Sequence, residues 1–178
     1  MRALATSLLV GIACVTLAAL PALADGTIAW SEYSYTADGF AISAPHLPVG
    51  KKLVAPTDVG PVTSQIYSVD LGSDNAFMFS STHYDQGLVS SRAADALEGA
   101  KNGAVANVHG TLVSQQHISI DGNPGYEIVI TASNYHVRER IYVVGDYLYQ
   151  LLAIAPVGAP LPKDADKFLG SFRLLGKP

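Results

Sequence analysis

The sequence predicts an α+β domain, an α/β/α sandwich in which a largely antiparallel sheet of about six strands carries helices packed on its faces. Three observations predict it: four pairs of β-rich segments joined by turn residues, one window of helical periodicity between the second and third pairs, and a short proline-led helix near the C-terminus. An apolar fraction of 49% against 15% charged residues describes a folded globule, because a disordered chain carries far fewer side chains that need burial.

The first pair is Glu32 to Tyr35 and Phe40 to Ser43, joined by Thr36-Ala37-Asp38-Gly39, where Asp-Gly supplies the turn. Ala44 to Pro61 holds four prolines and two glycines and reads as loop, with at most a short strand around Lys52 to Ala55. Val62 to Asp70 and Ala76 to Tyr84 form the second pair. Ser90 to Val108 then changes character: Ala93, Leu97, Ala100, Ala104 and Val105 recur at helical spacing, with Ser90 or Ser91 as N-cap. Thr111 to Ile120 and Gly125 to Thr131 flank Asp121-Gly122-Asn123-Pro124, and Tyr135 to Val144 and Tyr147 to Ile154 flank Gly145-Asp146. Pro162 to Leu169 fits a short helix with acidic residues in its first turn.

A two-residue turn at Gly145-Asp146 pairs Val144 with Tyr147, Tyr142 with Tyr149 and Arg140 with Leu151. One face of this hairpin then carries Arg138, Arg140, Tyr142, Val144, Tyr147, Tyr149 and Leu151. The other carries Val137, Glu139, Ile141, Val143, Leu148, Gln150, Leu152 and Ile154, and is the expected core face.

Residues 1 to 24 read as a secretory leader: basic Arg2, an apolar stretch from Leu4 to Leu20, helix-breaking Pro21, and the small residues Ala22 and Ala24 that signal peptidase accepts. Cleavage after Ala24 leaves 154 residues, the usual size of one domain. A retained anchor is the weaker reading, since the apolar run is near the lower limit for ~30 Å of hydrocarbon. Lipidation at Cys14 is weaker still, because Gly11 stands where a branched aliphatic is wanted. The mature chain has no thiol, which excludes disulfides and cysteine chemistry. With ten basic against fifteen acidic side chains after cleavage, and the basic ones scattered, nucleic-acid binding is excluded.

Tyr35-Thr36-Ala37-Asp38-Gly39-Phe40-Ala41-Ile42-Ser43-Ala44-Pro45, the mid-chain helix, the Asp121-Gly122-Asn123-Pro124-Gly125-Tyr126-Glu127 turn and the closing Arg140-to-Val144 and Tyr147-to-Leu151 strands resemble the PsbP-like family. That family includes extrinsic photosystem II subunits of plants and cyanobacteria and exported bacterial relatives. The resemblance spans nearly all of Glu32 to Leu175 and implies an antiparallel sheet with helices against its faces, working as an accessory or binding module. Calcium or manganese belongs to some photosynthetic members, and no ligand set of theirs matches positions here. The chain also departs from the lysine-rich character expected for docking on a photosystem.

No catalytic signature appears. The histidines His46, His83, His109, His117 and His136 lack metal-motif spacing, and neither a G-x-S-x-G elbow nor a phosphate-cradling glycine loop is present. Glu127 and Glu139 lie within strands, where a solvated edge or a cross-strand ion pair is the expected home of each. Arg138, Arg140, Tyr142, Tyr149 and His136 are the candidate recognition strip, because Arg and Tyr contribute most at interfaces; packing of these stems and rings beneath a helix is the equal alternative. The sequence thus points to an exported, non-enzymatic, monomeric binding module of the cell envelope. It would use no cofactor, no nucleic acid and no stable membrane insertion after cleavage, and its partner would be an envelope protein or small ligand. The rival functions are an envelope hydrolase with a non-local Ser/His or carboxylate/His site, and a carrier of a small apolar ligand.

Overall fold

A computed structural model of the chain describes residues 29–57, 60–84 and 87–176. The leader and its cleavage residues Ala22 and Ala24 lie outside the described residues.

Strands dominate. The elements are β1 (Ser31–Tyr35), β2 (Phe40–Ala44), β3 (Val49–Thr57), β4 (Gly60–Gly72), β5 (Asn75–His83), α1 (Ala93–Asn107), β6 (Thr111–Ile120), β7 (Asn123–Thr131), β8 (Tyr135–Val144), β9 (Tyr147–Pro156), α2 (Ala165–Gly170) and β10 (Arg173–Leu174). They form a seven-stranded sheet in the order β3-β4-β5-β9-β8-β7-β6 and a three-stranded sheet in the order β1-β2-β10, with every pairing antiparallel.

This corrects the expected α/β/α sandwich of about six strands. Helix α1 covers one face of the large sheet, but the opposite face lies under the small sheet, with the six-residue α2 beside it. The reason is in β2 and the chain's end. Phe40, Ala41, Ile42 and Ala44 are all buried, so β2 cannot remain half of a free hairpin, and it recruits β10 as its second neighbour. Arg173 on β10 reaches back to Glu32 on β1 with hydrogen bonds of 3.0 and 2.6 Å.

The four expected hairpins are present. Turns at Ser73-Asp74 and Asp121-Gly122 have both central residues at positive φ, which matches the twist of the flanking strands. The register expected at Gly145-Asp146 is observed, with Val144 opposite Tyr147, Tyr142 opposite Tyr149 and Arg140 opposite Leu151.

Two local expectations are overturned. The proline-rich stretch after Ala44 is not mostly loop: the short strand allowed around Lys52 to Ala55 extends to the nine residues of β3. As the sheet's edge, β3 has one neighbour, so Pro56 costs no ladder bond on a second side. Neither Ser90 nor Ser91 caps α1, which starts at Ala93 after a 3₁₀ turn over Ser90–Arg92. The Asp146 carboxylate holds that turn instead, accepting from Gly87 N (2.9 Å), Ser90 N (3.2 Å) and Ser90 Oγ (2.9 Å).

The large sheet is buried on both faces, one of them under a sheet where helices were expected on both. Under the small sheet lie Phe77, Phe79, Tyr142, Tyr149 and Leu151, interleaved with Phe40, Ile42, Phe168 and Phe172. Phe77 stacks on Phe168 with centroids 4.3 Å apart. Under α1 lie Ile128, Ile130, Ile141, Val143 and Leu148 against Leu97 and Ala100. Gly103, unhelpful to a helix in isolation, is buried in the face of α1 and lets it sit close to the strands.

Candidate functional site

The face that bears α1 is only half covered. The helix lies over β7 and β8, while Ile66 on β4, Met78 on β5 and Leu152 and Ile154 on β9 stay partly exposed beside it. At the boundary is a cleft with about 50 Å³ of room. Ala104, Asn107 and Val108 at the C-terminal end of α1 form one wall, and Ile66, Met78, Ile130, Val137 and Leu152 form most of the rest.

Three polar side chains line the strand side: Ser80, Gln150 and Glu139. The register explains their meeting. Ser80 pairs with Gln150 across β5–β9, and Gln150 pairs with Ile141, which stands two residues along β8 from Glu139 on the same face. Gln150 Nε2 donates to Glu139 Oε1 at 2.8 Å.

Glu139 is 1% exposed. Burial removes the water that would solvate its charge and pushes its pKa up to about 7, with the hydrogen bond from Gln150 opposing that only in part. At neutral pH this carboxyl is therefore shared between a form that donates a hydrogen bond and a form that only accepts. The solvated edge or cross-strand ion pair expected for Glu139 is not observed: it is buried, this face offers it only the uncharged Gln150 and Ser80 among apolar side chains, and both adjacent arginines point through the other face.

Those arginines serve Glu127. Arg138 Nε lies 3.1 Å from Glu127 Oε1 and Arg140 Nε 2.7 Å from Oε2, while Arg138 Nη1 also meets Asp166 at 2.6 Å. Arg140 Nη1 donates to the Leu169 carbonyl at 3.1 Å. Burial alone would raise the Glu127 pKa, but hydrogen bonds from the two guanidiniums outweigh it and hold the carboxylate low. For Glu127 the cross-strand ion pair expected from the sequence is observed.

The rest of the recognition strip is placed as follows. Tyr142 and Tyr149 are buried beneath the small sheet, where Tyr142 stacks on Phe172 and Tyr149 Oη donates to the Asp38 carbonyl at 2.6 Å. His136 is half-buried two residues along β8 from Arg138, with its Nε2 enclosed and unpaired among the described residues. Arg138 and Arg140 are thus brought together through Glu127, while the two tyrosines work inside the core.

A second polar grouping gathers Asp38, Ser81 and His83. Burial raises the pKa of Asp38, and Ser81 and His83 act against that rise. Ser81 and His83 stand two residues apart on β5 and share a face, but both act on Asp38, whereas a hydrolase needs the histidine between serine and acid. Ser81 is also 2% exposed and, unlike the equally buried Glu139, does not line the cleft. Among the described residues no three His, Cys, Asp or Glu side chains gather as metal ligands, and no helix is long and apolar enough to cross a membrane.

The Glu139 cleft was missed from sequence because Glu139, Gln150 and Ser80 come from three strands. The legible signal was an acid and an amide on a face otherwise made of Val, Ile and Leu, a placement that costs free energy unless something compensates it.

No family model matches the chain, and no curated protein matches it. Among solved structures, it is similar to the solution structure of cyanobacterial PsbP (CyanoP) from Synechocystis sp. PCC 6803. The identity is 16%, the TM-score is 0.47, and the match covers 86% of this chain and 97% of that one. At that level of likeness the match assigns the chain neither a family nor a role.

Proposed function

We propose that this chain is an exported, non-catalytic binding module of the cell envelope, and that it docks a partner protein by taking one apolar group into the cleft beside α1. The observation that carries this reading is an open, apolar cleft with a single carboxyl in its wall, next to the uncovered half of a sheet face. Glu139 would then meet a backbone or hydroxyl group of the partner, fixing its orientation while the aliphatic walls supply affinity.

Size favours a partner protein over a carried molecule. Sites for small ligands commonly offer several hundred Å³, whereas about 50 Å³ is room for one side chain. Chemistry favours binding over hydrolysis, since no histidine lines the cleft and Ser81 is closed off in the core. In the same reading the strip of Arg138, Arg140, Tyr142, Tyr149 and His136 serves the fold, its guanidiniums bound to Glu127 and its rings packed. Export rests on the leader pattern, and intact mass tests it: protein recovered outside the cytoplasm should begin at Asp25, and retention of Met1 would overturn it.

Docking is tested by placing a photo-crosslinking residue at Met78, and separately at exposed Val157 away from the cleft, in the producing cell. A discrete adduct from Met78 alone supports the reading. Identical patterns from both positions refute it.

A further inference from the structure

The two edges of the large sheet are defended differently. Edge β3 carries Lys51, Lys52 and Pro56, the residues by which natural sheets discourage added strands. Edge β6 carries Thr111, Leu112, Val113, Ser114, Gln115, Gln116, His117, Ile118, Ser119 and Ile120, with no Lys, Arg, Asp, Glu or Pro among them. A bulge at Val113 interrupts it once, and beyond the bulge Ser114 to Ile120 runs in regular register with β7.

The register also says which backbone groups are unpaired. Ile120 and Asn123 close the two-residue turn and so exchange hydrogen bonds. Counting back along the strand, Ile118, Gln116 and Ser114 bond to β7, while Ser119, His117 and Gln115 direct their N–H and C=O away from the sheet. The side chains of all three outward residues are exposed. They are uncharged polar groups or imidazole; Lys101 on α1 donates to Gln115 Oε1 at 3.1 Å and is itself matched by Glu98 at 2.6 Å.

We propose that β6 pairs antiparallel with β6 of a second copy of this chain, centred on His117, joining two seven-stranded sheets into one. The occupant is argued from self-complementarity. Rotation about a two-fold axis through His117 sets Gln115 opposite Ser119 of the other copy and His117 opposite itself, and each outward N–H meets an outward C=O. No pair of like fixed charges meets along the seam, and the turn residue Asp121 falls opposite the uncharged Val113. The three facing pairs exchange about six hydrogen bonds. This departs from the monomer expected from sequence, and it does not depend on the Glu139 cleft, which lies away from this edge.

The test is sedimentation of the purified full chain from micromolar to millimolar concentration. A reversible rise toward twice the chain mass is expected. His117→Pro removes an outward N–H that β7 does not use, so it should lower the association constant roughly tenfold or more with the monomer still folded by circular dichroism. Should that variant fail to fold, Gln115→Lys with Ser119→Lys brings like charges together across the seam and should have the same effect. With Cys14→Ser in the background, His117→Cys should oxidise to a covalent dimer, since facing Cα atoms ~5.5 Å apart lie within disulfide reach. A chain that stays monomeric throughout overturns the proposal, as does a dimer indifferent to these substitutions. A monomer that accepts only a foreign extended peptide along β6 overturns it too.

Discussion

Replacing Glu139 by Gln isolates the cost of placing an acid under α1. The substitution keeps the side chain's shape and leaves a carbonyl for Gln150 Nε2 to donate to, while removing the titrating proton. In the folded chain this carboxyl is lifted from 4.5 to about 7. A raised folded pKa means that the fold favours the protonated form. Below 4.5 both folded and unfolded chains hold the proton and there is no penalty. As pH rises toward 7 the unfolded chain has released its proton while the folded chain still keeps it, so stability falls, and above 7 the loss is complete. The interval corresponds to roughly 3 kcal/mol. Urea denaturation of both chains between about pH 5 and pH 8 reads it directly. Taking the difference between the two chains cancels the contributions of Glu127, Glu98 and Asp146, whose low pKa values act at more acid pH. The variant should gain on the parent as pH rises, by about 3 kcal/mol at the alkaline end. Parallel curves across the range would refute the assignment of a buried, nearly neutral carboxyl.

Three further outcomes follow from the packing. Phe168→Ala should cost roughly 3–5 kcal/mol in the same assay, because Phe168 is fully buried and stacked on Phe77 in the aromatic core between the sheets. Gly125→Ala should cost about 2 kcal/mol or more, since a Cβ there would stand 2.5 Å from the Ile141 carbonyl oxygen and 2.6 Å from the Tyr142 ring; Gly122→Ala, with open space around it, provides the comparison for turn strain alone. Asp146→Ala should lower Tm at neutral pH by releasing the turn that leads into α1. Backbone and hydroxyl donors from Gly87 and Ser90 hold the Asp146 pKa down to about 2, so its contribution is present above 3.8 and is lost as pH falls through 2. Melting curves of parent and variant should therefore converge in strong acid.

Much of the hairpin framework is legible because it is local. A two-residue turn and strict alternation determine register, which is why Tyr142 opposite Tyr149 could be written down from the chain alone. β3 was legible only as a short strand around Lys52 to Ala55: Pro56 inside it and the prolines around it read as loop unless one knows that the strand is an edge with a single neighbour, and edge position belongs to the whole sheet. The sequence leaves open, for a related reason, whether the Arg138 and Arg140 face of β8 and β9 is covered. Arginine and tyrosine suit a recognition surface as well as a covered face, and here the guanidiniums spend their charge on Glu127 and the Leu169 carbonyl while Tyr142, Tyr149 and Leu151 beside them are core.

What covers each face was decided only in three dimensions. An apolar strip requires a cover without specifying a helix or a sheet, and here the choice fell to β2, whose side chains are buried and which could complete a sheet only by meeting β10 from the far end of the chain. The same holds for the candidate site. Alternation and the hairpin register put Glu139 and Gln150 together on an apolar face, but the cleft beside them and the displacement of the Glu139 pKa depend on where α1 stops across the sheet. Local chemistry determined turns, registers and the leader's pattern, because those interactions span a few residues; long-range packing determined cover, edges and the buried acid, because desolvation depends on everything that comes to rest around a group.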